Sequence, residues 1–305
     1  MSTADALAAR AAGGDAGAMT AIQGANGAVL PATLRLGAVH LIVTDLDRSV
    51  AFYQDSLGLR LHRREEPVAA LGAGEEELVV LHEQPRARPT GRHAGLFHFA
   101  LLYPSREELA HAVQRLATTN TPISGASDHG VSEAIYLSDP DGNGIELYAD
   151  RPREAWPPAP DGERVGMFTR PLDVQDLLAT VAGAVPPRHA GAGLRMGHVH
   201  LHVGDIDAAH DFYAGVLGFE PMATYPGALF LAAGGYHHHV GVNTWRGEGV
   251  GPAPEGTVGL REWTIVLDAG GLAALRGRLA AAGLGDGEMA ADPWGIRVRI
   301  TASSS

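Results

Sequence analysis

The chain contains no cysteine, which excludes disulfides, thiolate nucleophiles and cysteine-ligated zinc and leaves any metal to histidine and carboxylate side chains. It also lacks a hydrophobic run of the roughly 20 residues that a membrane-spanning helix needs. Basic residues are sparse: 23 Lys and Arg stand against 35 Asp and Glu, for a formal charge of -12. They are scattered rather than clustered, which argues against a nucleic acid or an anionic membrane surface as partner. The first stretch, residues 1–33, has neither a basic start nor a continuous apolar segment of signal-peptide type, and reads as a flexible or weakly helical tail. Together these absences fit a cytoplasmic location in a reducing compartment. A homo-oligomer remains open.

What is present is histidine, fifteen in 305 residues, in a chain that is 45% hydrophobic and long enough for two domains. The stretch Asp128 to Tyr148, DHGVSEAIYLSDPDGNGIELY, places a histidine, a tyrosine, a sharp turn and a carboxylate in succession. A strand carrying Ile135 and Tyr136 runs into the turn Asp139-Pro140-Asp141-Gly142 and returns as a strand with Glu146 between Ile145 and Leu147. A lone glutamate on an alternating strand reads as a solvated one. Partners elsewhere would change that.

An internal repeat supplies them. VHLIVTDLDRSVAFYQDSLGL, from Val39, aligns without a gap with VHLHVGDIDAAHDFYAGVLGF, from Val199. Each copy reads as a strand, an Asp that can cap a helix, an amphipathic helix carrying Phe-Tyr, and a Leu-Gly stop. Weaker echoes begin at Leu96 and Arg261, so the chain is α+β, with four βαβββ modules, two per domain. The expected domains are 34–151 and 196–301, with 152–195 as a Pro-rich linker that holds a short helix in DVQDLLATVA.

Two histidines occupy equivalent strands in the first half: His40 in the opening strand of module one, and His98 in that of module two. With Glu146 from a closing strand they make a facial triad that leaves coordination positions open for Fe(II), Mn(II) or another divalent ion.

On these residues the chain resembles the vicinal oxygen chelate superfamily of glyoxalases, fosfomycin-resistance proteins, epimerases and type I extradiol dioxygenases. The resemblance implies modules paired into glyoxalase/dioxygenase-like domains with curved mixed sheets. The run His129, Ile135-Tyr136, Asp139-Pro140, Asp141-Gly142 and Glu146 closely resembles the extradiol signature, with one departure at Ser127. The two-domain arrangement resembles the catechol 2,3-dioxygenase-like branch. This implies an Fe(II)-dependent ring-cleaving dioxygenase acting with O2 on a small catechol-like or hydroquinone-like aromatic, with His129 as acid–base group and Tyr136 as hydrogen-bond partner of a substrate oxygen. Leu81 stands where glyoxalases usually carry a further carboxylate. Two other readings stay open: a non-oxidative metal enzyme of the same fold (lyase, isomerase or thiol transferase), and a metal-free protein that binds or sequesters an aromatic.

The second half reads as degenerate. His200 matches His40, but Glu262 falls at the position of His98, and Arg297 or Arg299 at that of Glu146, where a cation would repel a metal. The same half holds His198, His200 and His202 on one strand face and Tyr236-His237-His238-His239 in the next hairpin, which could form an all-histidine site, with His200, His237 and His239 as candidates, or complete a pocket across the domain interface.

Overall fold

In both copies of the repeat an aspartate caps the helix that follows the first strand. Asp45 accepts from the Arg48 backbone N–H at 2.9 Å and Asp205 from that of Ala208 at 2.8 Å, satisfying donors that a first helical turn leaves without partners. The Leu-Gly stops fall at Gly58 and Gly218, whose φ values of 73° and 90° lie in the left-handed region that glycine adopts freely. The Phe-Tyr pair has a second function. Tyr53 donates its hydroxyl to Asp139 at 3.1 Å and Tyr213 to Asp292 at 3.0 Å, so the helix of one module is tied to the Asp-Pro turn of the next.

The structure is a computed structural model that describes residues 29–284 and 287–303; nearly all of the expected tail lies outside the described residues. Module one contains β1 (Arg35–Leu36), β2 (Val39–Val43), α1 (Leu46–Asp55), β3 (Arg60–Glu65), β4 (Val68–Ala73) and β5 (Glu76–Glu83). Module two contains β6 (Gly95–Tyr103), α2 (Arg106–Thr118), β7 (Ile123–Asp128), β8 (Ser132–Ser138) and β9 (Gly144–Asp150). The linker carries β10 (Arg170–Pro171) and α3 (Val174–Ala179), the latter being the short helix expected in DVQDLLATVA. Module three follows with β11 (Arg195–His202), α4 (Ile206–His210, continued by a π-helical segment Asp211–Val216), β12 (Glu220–Tyr225), β13 (Ala228–Ala232) and β14 (Val240–Asn243). Module four has β15 (Gly259–Leu267), α5 (Ala269–Ala281), β16 (Met289–Ala291) and β17 (Arg297–Ala302). Among the described residues no helix is long and apolar enough to cross a membrane.

The two curved mixed sheets do not divide as the sequence does. One runs β16-β17-β15-β2-β5-β4-β3 and joins module four to module one; the other runs β10-β7-β8-β9-β6-β11-β14-β13-β12 and joins module two to module three. The expected pairing of neighbouring modules within each half is therefore replaced by pairing across halves. Alternation explains why this is stable. Val39, Leu41 and Val43 on β2, Phe99 and Leu101 on β6, and Val199 and Leu201 on β11 all enter one core that spans both halves, each fully buried aliphatic contributing about 1.5–3 kcal/mol. Strands β2, β6, β11 and β15 are thus central in their sheets, and their other faces carry His40, His98, His198 and Glu262 respectively.

Candidate metal centre

On the second sheet those polar faces meet. His98 on β6 and Glu146 on β9 lie on adjacent parallel strands, where Ala100 pairs with Glu146, and β11 flanks β6 on its other side. Strand alternation turns His98, Glu146 and His198 to the same face, with Phe99, Ile145 and Val199 directed to the core behind them. His98 Nε2 lies 3.0 Å, and His198 Nε2 3.1 Å, from Glu146 Oε2. The three ligand atoms are within 4.8 Å of one another, at side chains whose residues are 6%, 3% and 1% exposed for His98, Glu146 and His198.

The protonation states suit a cation. Burial would push the Glu146 carboxyl up, but His198 and His98 more than offset it and hold it well below the usual carboxylate range. Burial pulls His198 down to about 4, against the opposing pull of Glu146, so the imidazole stays neutral beside the carboxylate. His98 Nε2 is buried and makes no hydrogen bond of acceptable geometry despite its closeness to Glu146. Two imidazole nitrogens and an ionised carboxylate oxygen converging in a buried space are a donor set for a divalent metal.

Of the three expected ligands the structure brings together His98 and Glu146 but not His40. His40 lies in the other sheet, where its Nδ1 is 3.0 Å from Nε2 of His82 and it pairs across the strands with Glu262. Glu262 in turn is held by Arg299 at 2.5 Å and lies 3.7 Å from Arg297. In the same register that sets Ala100 beside Glu146, Thr264 lies beside Arg299. The counterpart of Glu146 is therefore an arginine, and an internal ion pair occupies the place of a metal.

Sequence reasoning missed His198 as a candidate ligand because the repeat aligns His40 with His200 and leaves Ala38 opposite His198. The available signal was the period of two in Gly-His-Val-His, which sets His198 and His200 on one face. His200 pairs across the seam with His98 and accepts from Asn243 at 2.9 Å; its neighbour His202 bonds the same amide at 2.7 Å. The histidine run of the next hairpin is split. His238 packs on His198 with ring centroids 4.1 Å apart, and His237 bonds Asp150 at 2.8 Å and His238 at 2.8 Å. His239 instead accepts from the Ala233 backbone at 3.2 Å. The all-histidine cluster is thus largely a flank of the centre on β6, β9 and β11.

On the opposite flank, β8 places Tyr136 directly across from Glu146. Tyr136 bonds His129 Nε2 at 2.7 Å, and His129 Nδ1 donates to the Phe168 carbonyl at 3.1 Å. That carbonyl fixes the tautomer: the His129 Nε2 lone pair faces the phenol and accepts its proton. Burial lowers the His129 pKa and raises that of Tyr136 far above its ordinary value, keeping both neutral. The hairpin is set by the Asp139 turn, whose carboxylate accepts from the backbone of Asp141 and Asn143 at 2.9 and 2.8 Å.

The Glyoxalase/Bleomycin resistance protein/Dioxygenase superfamily model matches residues 35–147 and 195–251. The chain belongs to this superfamily. It is 44% identical over 237 residues to a catechol-2,3-dioxygenase of Bacillus subtilis (strain 168), a match that covers 76% of this chain and 82% of that protein. It is 28% identical over 113 residues to the glutathione transferase FosA of Serratia marcescens, covering 37% of this chain and 79% of that protein. In fold it is similar to glyoxalase I from Zea mays, with a TM-score of 0.54 over 88% of this chain and 92% of that one at 19% identity.

Proposed function

We propose that the chain is an extradiol-type dioxygenase that holds Fe(II) on His98, Glu146 and His198 and cleaves a small catechol-like or hydroquinone-like aromatic with O2. The observation that carries this reading is the placement of the His129–Tyr136 pair beside a buried His-Glu-His donor set. The 44% identity to a protein named catechol-2,3-dioxygenase supports it.

When bound, the ion supplies open coordination positions and electron exchange between two reactants brought side by side. The protein's own groups do the rest. Glu146 leaves part of the cation's charge uncompensated, so an ionised substrate oxygen is favoured. Tyr136, neutral and fixed by His129, orients a substrate oxygen without adding charge. Because its proton is directed to His129 Nε2, the phenol oxygen can accept a hydrogen bond from a substrate hydroxyl, and His129 becomes the acid–base group at the end of that path. Burial excludes bulk water, which strengthens each of these contacts.

Anaerobic loading with Fe(II), followed by O2-uptake assays across catechols and hydroquinones, tests the proposal. Uptake with at least one class is expected, and it should disappear when His98, Glu146 or His198 is replaced by Ala. No uptake with any of them would sink it. A second reading, a metal-dependent transferase of the same fold, draws on the likeness to FosA; activity with Mn(II) and a thiol, without O2 consumption, would favour that one.

A further inference from the structure

The nine-stranded sheet that bears the centre is open, with β10 and β7 near one edge and β12 at the other. The segment between Trp156 and Phe168 crosses from one edge region to the other. At its far end Phe168 receives the His129 hydrogen bond and packs so closely on Gly130 that a Cβ there would lie 2.7 Å from the Phe168 ring. In its middle, the backbone amides of Arg164 and Val165 donate to the Met222 carbonyl on β12 at 2.9 and 3.2 Å. Glu163 accepts from the Thr224 backbone at 3.0 Å, and the Tyr225 hydroxyl donates to the Met167 carbonyl at 2.5 Å. The strap is therefore bonded to both sides of the sheet.

Three of its side chains, Trp156, Val165 and Met167, face inward. Val165 is buried in a small apolar cluster with Val131, Met222 and Ala232, against which Trp156, Met167 and Tyr236 pack. This cluster is separate from the main core, and Ala232 lies two residues from Phe230, whose ring meets His238 and His200 at 5.0 and 5.6 Å. Ala232 thus shares the sheet face that carries the centre. Trp156 reaches the same space, its ring 5.4 Å from that of His237. One strap meets the flank of His129 and Tyr136 at Phe168 and the flank of His237 and His238 at Trp156.

We propose that this linker segment is the roof of the substrate pocket and that Val165 and Met167 set how large a ring substituent the site accepts. The inference rests on the dioxygenase reading above and adds to it the ligand class: a flat diol whose ring edge remote from the hydroxyls meets apolar side chains from outside the repeated modules. Such a wall discriminates by volume, at about 10–200-fold per methylene-sized change.

The test compares anaerobic spectral titrations of the Fe(II)-loaded protein with catechol and with 4-tert-butylcatechol. In Met167→Ala the ratio of affinities should shift at least 10-fold toward the bulky ligand. In Val165→Phe it should shift at least 10-fold the other way, and this second variant keeps the test decisive if the first folds poorly. Wild-type binding of both ligands with ratios unchanged in the variants overturns the roof and leaves the dioxygenase reading standing. Failure of the loaded wild type to bind any catechol overturns both.

Discussion

His98 and His200 lie directly opposite one another across the seam between β6 and β11, and Glu262 and His40 do the same across the seam between β15 and β2. The two sheets therefore present the same frame twice with different chemistry on it. In one, histidines surround a carboxylate; in the other, a carboxylate is surrounded by arginines.

The first consequence concerns which histidines retain a metal. His198→Ala should bind Fe(II) or Mn(II) more weakly by more than the roughly 10–100-fold that loss of an outer partner costs, whereas His40→Ala should bind one equivalent as the wild type does. Equilibrium dialysis with metal analysis checks this. Equal loss in both variants would contradict the ligand set.

The frame also predicts a gain. Ala38, Glu262 and Arg299 occupy the places of His198, His98 and Glu146, so the combined substitutions Ala38→His, Glu262→His and Arg299→Glu should create a second donor set. Titration with Co(II), followed by its visible absorption, should show two sites per chain instead of one.

Tyr136→Phe removes one hydroxyl from the centre while leaving the ring against His98, 5.7 Å between centroids. Its kcat/KM with the best catechol should fall roughly 10²-fold or more, as expected for a lost proton-handling or orienting contact, with metal content unchanged. Activity within a factor of two of wild type would remove Tyr136 from the mechanism.

The Asp139 turn carries that residue. Asp139→Ala strips the backbone N–H groups of Asp141 and Asn143 and the Tyr53 hydroxyl of their acceptor, and should destabilise the protein by about 1–3 kcal/mol for the buried groups left unpaired. Urea denaturation measures it, and a loss of metal affinity should accompany the loss of stability because Glu146 is on the same hairpin.

Acid should unfold the metal-free protein through its histidines. Burial is the main cause that brings His202 down to about 3 and His239 to about 3, below the ordinary value near 6.5. The unfolded chain therefore takes up these protons first, so the stability they carry is full above about pH 6.5 and is lost as the pH falls toward 3. In His239→Asn the decline of the urea midpoint between pH 6.5 and 4 should be shallower. An unchanged slope would count against this assignment.

Much of this was legible in the sequence. The Asp caps, the Phe-Tyr helices and the Asp-Pro-Asp-Gly hairpin are local, set by groups a few residues apart, and His98, Glu146, His129 and Tyr136 sit on strands whose alternation can be counted. Which module lies beside which is not local. The repeat made His40 the obvious partner of His98, since both open a module in the same half, but strand order in a sheet depends on which apolar faces share a core. Once β11 rather than β2 stands beside β6, the third candidate ligand becomes His198 in place of His40, two residues away from the residue that the repeat had aligned with it.

The candidate centre takes two donors, His98 and Glu146, from module two and one, His198, from module three, and so spans the linker between the halves. On the proposed ligand set neither half holds all three donors by itself, so bound metal would report that the two have docked in register.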